Sequence, residues 1–163
     1  MCKKTELWND LKSGKYASMV KESSNGQKLN NAEEVYNILK PLFVIEEDVE
    51  SFYCIFMNAK NKILAIKKMF SGSISSASVY PREILKEVLS LKATSVILAH
   101  NHPSGDTEPS NSDYTITVKV GIALDSIGVC IHDHIIIGDG HTSMANTEML
   151  KNIQDKIAEI TAY

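Results

Sequence analysis

The fifteen residues from Ala99 to Asp113 read AHNHPSGDTEPSNSD. Two histidines, two prolines, a glycine and three acidic residues follow directly on the apolar run of TSVILAH. Taken as backbone, the stretch is the end of a strand, a turn and the start of a helix. Taken as side chains, it is a set of metal donors. His100 and His102 stand at i and i+2, so strand alternation puts both imidazoles on the same side of the chain. Two such nitrogens bind one divalent ion at about 2.0–2.1 Å. Asp113 follows after a Pro/Gly loop long enough to fold back, and it would add an oxygen from the first helical turn. Two histidines, one carboxylate and an open position suit a catalytic zinc site better than a closed structural one. Ser110-x-x-Asp113 is equally a capping box, and Pro103, Gly105 and Pro109 are ordinary turn residues. Spacing alone leaves both readings open.

Outward from this stretch the apolar pattern switches between helical and extended periods. Upstream, SVYPREILKEVLSLK is a helix with Pro81 in its first turn and Ile84, Leu85, Val88 and Leu91 on one face. Before it, ESFYCIFMNAKNKILAIKKMFSGS has two apolar runs around NAKN, a β-hairpin of about eight residues per strand. NAEEVYNILKPLF spaces Val35, Ile38, Leu39 and Leu42 helically, with Asn30 or Asn31 as its cap. Downstream, Ser110 to Ile127 predicts a long helix through Ile116, Val120 and Leu124. GVCIHDHIIIGDG is a strand ending in a Gly-Asp-Gly turn, HTSMAN pairs back on it, and TEMLKNIQDKIAEI is an amphipathic helix. Helices alternating with a hairpin and single strands predict an α/β fold, a three-layer α/β/α sandwich on a mixed sheet. Residues 1–30 are polar and weakly patterned, KESSNGQKLN most of all. They are expected to form an arm, loosely docked or adding an edge strand, ahead of one domain over 31–163.

A chain of 163 residues can bury one sizeable core without staples. Cys2, Cys54 and Cys130 are scattered and form no C-x-x-C pair, which argues against a disulfide framework or a thiolate zinc site. Cys54 and Cys130 lie in apolar runs and are expected in the core. The first ten residues, MCKKTELWND, lack the apolar region of a signal peptide, and no run approaches the roughly 20 residues of a membrane span. A cytoplasmic protein is expected, with no membrane partner. Net charge is −3 and Arg82 is the only arginine, so charge gives nucleic-acid binding no support.

The whole string HNHPSGDTEPSNSD, His-x-His, seven residues, Ser, two residues, Asp, resembles the JAMM motif of MPN-type metallopeptidases. ILAHNHPSGD, EPS and the upstream VYPRE further resemble the RadC branch of that superfamily. The similarity runs from about Val44 through Ser143, with DHIIIGDG near its end. It implies an MPN/JAMM-like sandwich of the cytidine-deaminase-like type, and a zinc-dependent hydrolase with one Zn2+ per chain. Carried over residue by residue, it makes His100, His102 and Asp113 the metal ligands and Ser110 a donor to the tetrahedral oxyanion. An upstream glutamate, not itself a ligand, would be the general base. Glu46, Glu47 and Glu50 are the candidates, and Glu50 is preferred because ESFYCIF looks like the Glu-x-Phe of the family. The implied substrate is a peptide or an isopeptide-linked protein; the resemblance does not name the bond.

Other features receive simpler readings. Asp133-His134 resembles the Asp-His of RadC proteins, though His132 stands where an apolar residue is usual. His134 is expected beside the site or at the surface rather than as a ligand, and His141 is expected to be exposed. Lys60, Lys62, Lys67 and Lys68 suggest a solvated hairpin edge. The competing function is a DNA-associated accessory protein, because the resemblance carries an association with DNA repair. Longer RadC proteins have a helix-hairpin-helix domain ahead of the JAMM domain. This chain has some thirty residues there and no G-x-G hairpin between short helices, which weakens the case for direct DNA binding. The intact His-x-His, Ser and Asp set speaks against a non-catalytic module. A deaminase would need His-x-Glu and Pro-Cys-x-x-Cys, which are absent.

Overall fold

The apolar runs around NAKN and before His100 become strands, and the amphipathic segments between them become helices. The computed structural model describes residues 9–10, 13–43, 48–72 and 79–162. Its elements are α1 (Lys15–Ser24), α2 (Ala32–Phe43), β1 (Ser51–Met57), β2 (Ile63–Ser71) and α3 (Pro81–Leu91). These are followed by β3 (Ser95–Asn101), α4 (Asn111–Asp125), β4 (Cys130–Ile137), β5 (His141–Ser143) and α5 (Glu148–Thr161).

The five strands form one mixed sheet in the order β2-β1-β3-β4-β5. β1 pairs antiparallel with β2 and β3, β3 runs parallel to β4, and β5 folds back antiparallel on β4. Every residue of β1 and β3 is buried. A strand covered on both faces needs apolar side chains at every position, which is why SFYCIFM and SVILA do not alternate with polar residues. Strand parity sends Phe52, Cys54, Phe56, Val96 and Leu98 into a core shared with Ile84 and Val88 of α3, Ile116 and Val120 of α4, and Ile153 of α5. The intervening Tyr53, Ile55, Met57, Ile97 and Ala99 face Val35, Leu39 and Leu42 of α2, with Val20 of α1 packed alongside. The result is the expected α/β/α sandwich, consistent with an MPN/JAB-like fold.

Local signals are used as the sequence suggests. Asn31 is the cap of α2: its Oδ1 accepts from Glu34 N at 2.9 Å, and the Glu34 carboxylate accepts from Asn30 N at 2.9 Å. Asn61 closes the NAKN turn at φ 56°, a left-handed conformation that asparagine tolerates. Within residues 1–30, α1 lies in the α2 layer. The chain after it hydrogen-bonds to the start of β2 through Gly26 N to Ile63 O at 2.8 Å and Ile63 N to Gln27 O at 2.9 Å. No described helix is long and apolar enough to cross a membrane.

Parity also decides the site. His100 continues the Val96–Leu98 side and faces the layer of α4, whereas Asn101 continues the Ile97–Ala99 side. Because β3 and β4 are parallel and joined through α4, the end of β3, the start of α4 and the end of β4 lie together.

One sequence expectation fails here. Cys54 is fully buried, but Cys130 is exposed. Cys130 opens β4 at the sheet's end, where alternation turns it and His132 to solvent while Ile131 stays in the core. Burial pushes the Cys54 thiol well above its usual pKa, leaving little thiolate to react. Iodoacetamide labelling of the native protein with peptide mass mapping is therefore expected to modify Cys130 and spare Cys54 until denaturant is added. Equal labelling of the two would show that β1 is not sealed.

Candidate metal centre

Beyond β3 the chain turns over the end of β4. His102 N donates to Ile137 O at 2.8 Å, which extends the parallel ladder by one bond. Gly105 N returns to His102 O at 3.0 Å, and Asp139 N donates to Gly105 O at 2.9 Å. Gly105 sits at φ 83°, and Gly138 lies so close that a Cβ there would be 2.2 Å from Gly105 O. The Gly-Asp-Gly turn after β4 is thus the seat on which the His102–Gly105 loop rests. Gly138 answers to a close approach of two backbones and not only to the turn.

The helix start supplies the carboxylate. Ser110 Oγ accepts from Asp113 N at 3.2 Å, and Asp113 Oδ2 accepts from Ser110 N at 2.8 Å, completing a capping box. The Ser110 hydroxyl also donates to Asp113 Oδ2 at 2.7 Å. With Oδ2 held by the cap, Oδ1 points away from it, 3.0 Å from His100 Nε2. The structural and the chemical reading of Ser110-x-x-Asp113 are one arrangement: the cap aims the carboxylate.

His100, His102 and Asp113 bring one donor atom each to within 4.8 Å of one another. The two imidazoles face each other through Nε2 atoms 2.9 Å apart, and His102 Nε2 is 3.5 Å from Asp113 Oδ2. The opposite nitrogen of His102, Nδ1, is 2.8 Å from Asp106 O. A carbonyl only accepts, so that nitrogen carries the proton, and Nε2 of neutral His102 is a lone pair. His100 and Asp113 are buried while His102 is half-buried, so one side of the cluster opens to solvent. Burial alone would raise the Asp113 pKa, but hydrogen bonds with His100, His102 and Ser110 outweigh it and hold the carboxyl well below the usual carboxylate range. The bond to Asp113 raises the pKa of His102 against its burial. An anionic carboxylate and ring nitrogens crowded together call for a cation between them. The N,N,O set with one open side fits zinc.

Glu50, the expected base, is half-buried and lines an open cleft of about 700 Å³ together with His102, Ser110, Asp113 and Asp48. It lies close enough that its charge contributes to raising the His102 pKa. Glu46 and Glu47 lie outside the described residues. Glu50 O accepts from Gly72 N at 2.8 Å, and Asn101 holds the residues on either side of Glu50. Asn101 Oδ1 accepts from Ser51 N at 2.7 Å, and its Nδ2 donates to Val49 O at 3.1 Å. The residue between the two histidines therefore ties the Glu50 segment to the strand that carries them.

His134, expected beside the site or at the surface, is fully buried with Nε2 2.9 Å from His100 Nδ1. Its neighbour Asp133 accepts from His134 N at 2.7 Å, Ala145 N at 2.9 Å and Ser143 Oγ at 2.6 Å, which fastens β4 to the segment leading into α5. His141 is not the exposed residue expected: its side chain is 20% exposed and stacks on Tyr36 with centroids 4.7 Å apart. In the hairpin Lys60, Lys62 and Lys68 are exposed, and Lys67 pairs with Glu87. Sequence reasoning assigned no role to Thr117 and only a turn to Gly138.

A mixed α/β/α sandwich with a His-x-His pair at the end of a parallel strand and an aspartate on the next helix defines a JAB-type, JAMM/MPN-class domain. The chain matches the RadC-like JAB domain over residues 29–149 and belongs to that family. Its relatives include UPF0758 proteins of Nitrosococcus oceani, 48% identical over 93 residues (57% of this chain, 42% of that protein), and of Thiobacillus denitrificans, 38% identical over 120 residues (74% and 53%). A third, from Ectopseudomonas mendocina, is 49% identical over 94 residues (58% and 42%). The match spans only about half of these relatives' length.

The Gly138 seat can be tested directly. Gly138→Ala must push the Gly105 backbone, and with it His102, out of place, so metal affinity is expected to fall by about tenfold or more, within the range for lost outer contacts. Gly140→Ala is the control, because a Cβ there meets nothing within 4 Å. Chelator competition on the two variants measures the difference. Equal affinities would show that the seat does not position the loop.

Proposed function

We propose that this domain is a zinc-dependent amide hydrolase of the JAMM type, acting on a peptide or an isopeptide-linked protein. One observation carries the reading: a carboxylate, Glu50, shares one open cleft with His102 and Asp113 of a converging His100–His102–Asp113 donor set. Two histidines and a carboxylate also suit non-haem iron. A second, non-ligating carboxylate beside the set is what hydrolysis needs and oxygen chemistry does not.

His100, His102 and Asp113 would hold the ion. Zinc bound there supplies Lewis acidity, acidifying water and polarising a carbonyl. Glu50 takes a proton from the attacking water and returns it to the nitrogen of the leaving amine. One water is thereby added across the C–N bond, giving a carboxylate and an amine. Ser110 contributes at the oxyanion by turning its hydroxyl from Asp113 Oδ2 into the cleft. A single donor of that kind is worth roughly 3–4 kcal/mol elsewhere. Asn101 holds Glu50 against the histidine strand.

The decisive measurements are metal analysis of protein purified without added zinc and hydrolysis of peptide and isopeptide libraries, each with a Glu50→Gln control. The expected result is about one zinc per chain in both proteins, with turnover lost by two or more orders of magnitude in Glu50→Gln, as for a general base. Full zinc occupancy with no cleavage of any library would overturn the peptidase reading.

A further inference from the structure

His134 and Thr117 lie behind the metal centre, out of reach of solvent and of any substrate, and the function just proposed uses neither. Both are fully buried. They form a chain of contacts from the backbone of one ligand to the ring of another. Thr117 Oγ is 2.6 Å from Asp113 O and 2.6 Å from His134 Nδ1, and His134 Nε2 is 2.9 Å from His100 Nδ1. Phe52 packs on both imidazoles, with ring centroids 6.1 Å from His100 and 5.6 Å from His134.

The direction of every bond follows from the first atom. A carbonyl oxygen has no proton, so at 2.6 Å the Thr117 hydroxyl must donate to Asp113 O. That hydroxyl has only one proton, so toward His134 it accepts, and His134 Nδ1 is the donor. A buried neutral imidazole carries one ring proton, so His134 Nε2 is an acceptor. His100 Nδ1 must then donate to it, which leaves the lone pair of His100 on Nε2, the atom that faces His102 and Asp113. We infer that Thr117 and His134 are positioning residues that fix the tautomer of His100, committing its Nε2 lone pair to the metal. The inference rests on the zinc reading of the site and deepens it.

The relay also couples the ligands mechanically. Asp113 presents its side chain to the ion and its backbone carbonyl to Thr117, so α4 and β3 are registered through β4. Outer hydrogen bonds to a ligating histidine set its tautomer, ring angle and basicity, and their loss typically weakens metal affinity by about 10–100-fold. Thr117→Val keeps the side-chain shape and deletes only the hydroxyl. His134 Nδ1–H then has no acceptor and the imidazole is free to adopt the Nε2–H form. That form donates to His100 Nδ1 and moves the His100 proton onto the ligand atom.

Two measurements test this on the full chain. Long-range 15N–1H NMR of the zinc-loaded wild type is expected to place the His134 and His100 ring protons on Nδ1. Competition with a chromophoric chelator is expected to give Thr117→Val about 10–100-fold weaker zinc affinity, and Thr117→Ser affinity within about threefold of wild type. A His134 proton on Nε2 overturns the inference whether or not the variants fold, and so does a Thr117→Val protein that binds zinc like wild type. Zinc binding with Nδ1 protons but no hydrolysis of any amide would count against the hydrolase alone.

Discussion

Two imidazole nitrogens 2.9 Å apart, with a carboxylate oxygen 3.0 Å from one of them, are a costly arrangement in a folded chain. With both rings protonated only on Nδ1 none of these atoms brings a proton, so the cluster calls for a positive charge between them, a proton shared with Asp113 or a metal ion. The surrounding structure resists relaxation of that cluster. Asp113 is fixed by its own helix cap, His102 by the Asp106 carbonyl and the ladder to Ile137, and His100 by the buried His134. The first restraint comes from α4, and the others from β4 and from the loop after β3. They meet because a parallel β3–α4–β4 crossover brings two strand ends and a helix start to one place.

Rigidity is distributed unevenly around the site. On the core side His100, His134, Thr117 and Asp113 are buried, Phe52 packs on both imidazoles, and Thr117 and His134 have partners for their side-chain polar atoms. In such surroundings an unpaired group is expensive, so the bonding pattern has essentially one solution. On the cleft side His102 is half-buried, and Ser110, Ser104 and Pro103 are exposed. Glu50 comes to that side from the segment before β1, tethered through Asn101. Asn101 and the two histidines alternate along the end of one strand, so the donor set and Glu50, the proposed base, share a backbone reference. A base that must stay within hydrogen-bond reach of a reacting proton benefits from that shared frame.

Much of this was legible in the chain because it depends on local spacing. The buried strands were visible as unbroken apolar runs, the helices as periodic ones, and the donor set as His-x-His followed by a capped Asp. What was not legible depends on partners distant in sequence. Thr117 looks like one more helical threonine until β4 puts His134 beside it. Gly138 looks like a turn residue until Gly105 is seen on top of it. Asn101 is a spacer in sequence and a clamp in space, because its partners Val49 and Ser51 are some fifty residues upstream. Cys130 was misread because an apolar neighbourhood does not say which end of a strand the helices cover. His141 was misread because its Tyr36 partner belongs to α2. The Asp133-His134 pair was the one distant signal within reach: two polar residues inside CIHDHIII demand buried partners.

The same division bears on what a site like this can discriminate. Core-side bonding is committed to orienting ligands, so it has no free donors or acceptors to offer a substrate. Recognition therefore belongs to the residues that face the cleft, and these come from two short loops. Asp48, Val49 and Glu50 lie on one, and Pro103, Ser104 and Ser110 on the other, with Ser112 in the first turn of α4 beside them. Asp48, Val49, Ser104 and Ser112 are exposed, and none of them bonds to the ligand cluster. Under the proposed function, changes there would alter substrate choice without disturbing the donor set, whereas changes behind it would alter metal binding without touching the substrate. The fold and the donor set accordingly support the proposed class of chemistry, and which bond would be cut rests with loop side chains that a shared motif does not constrain.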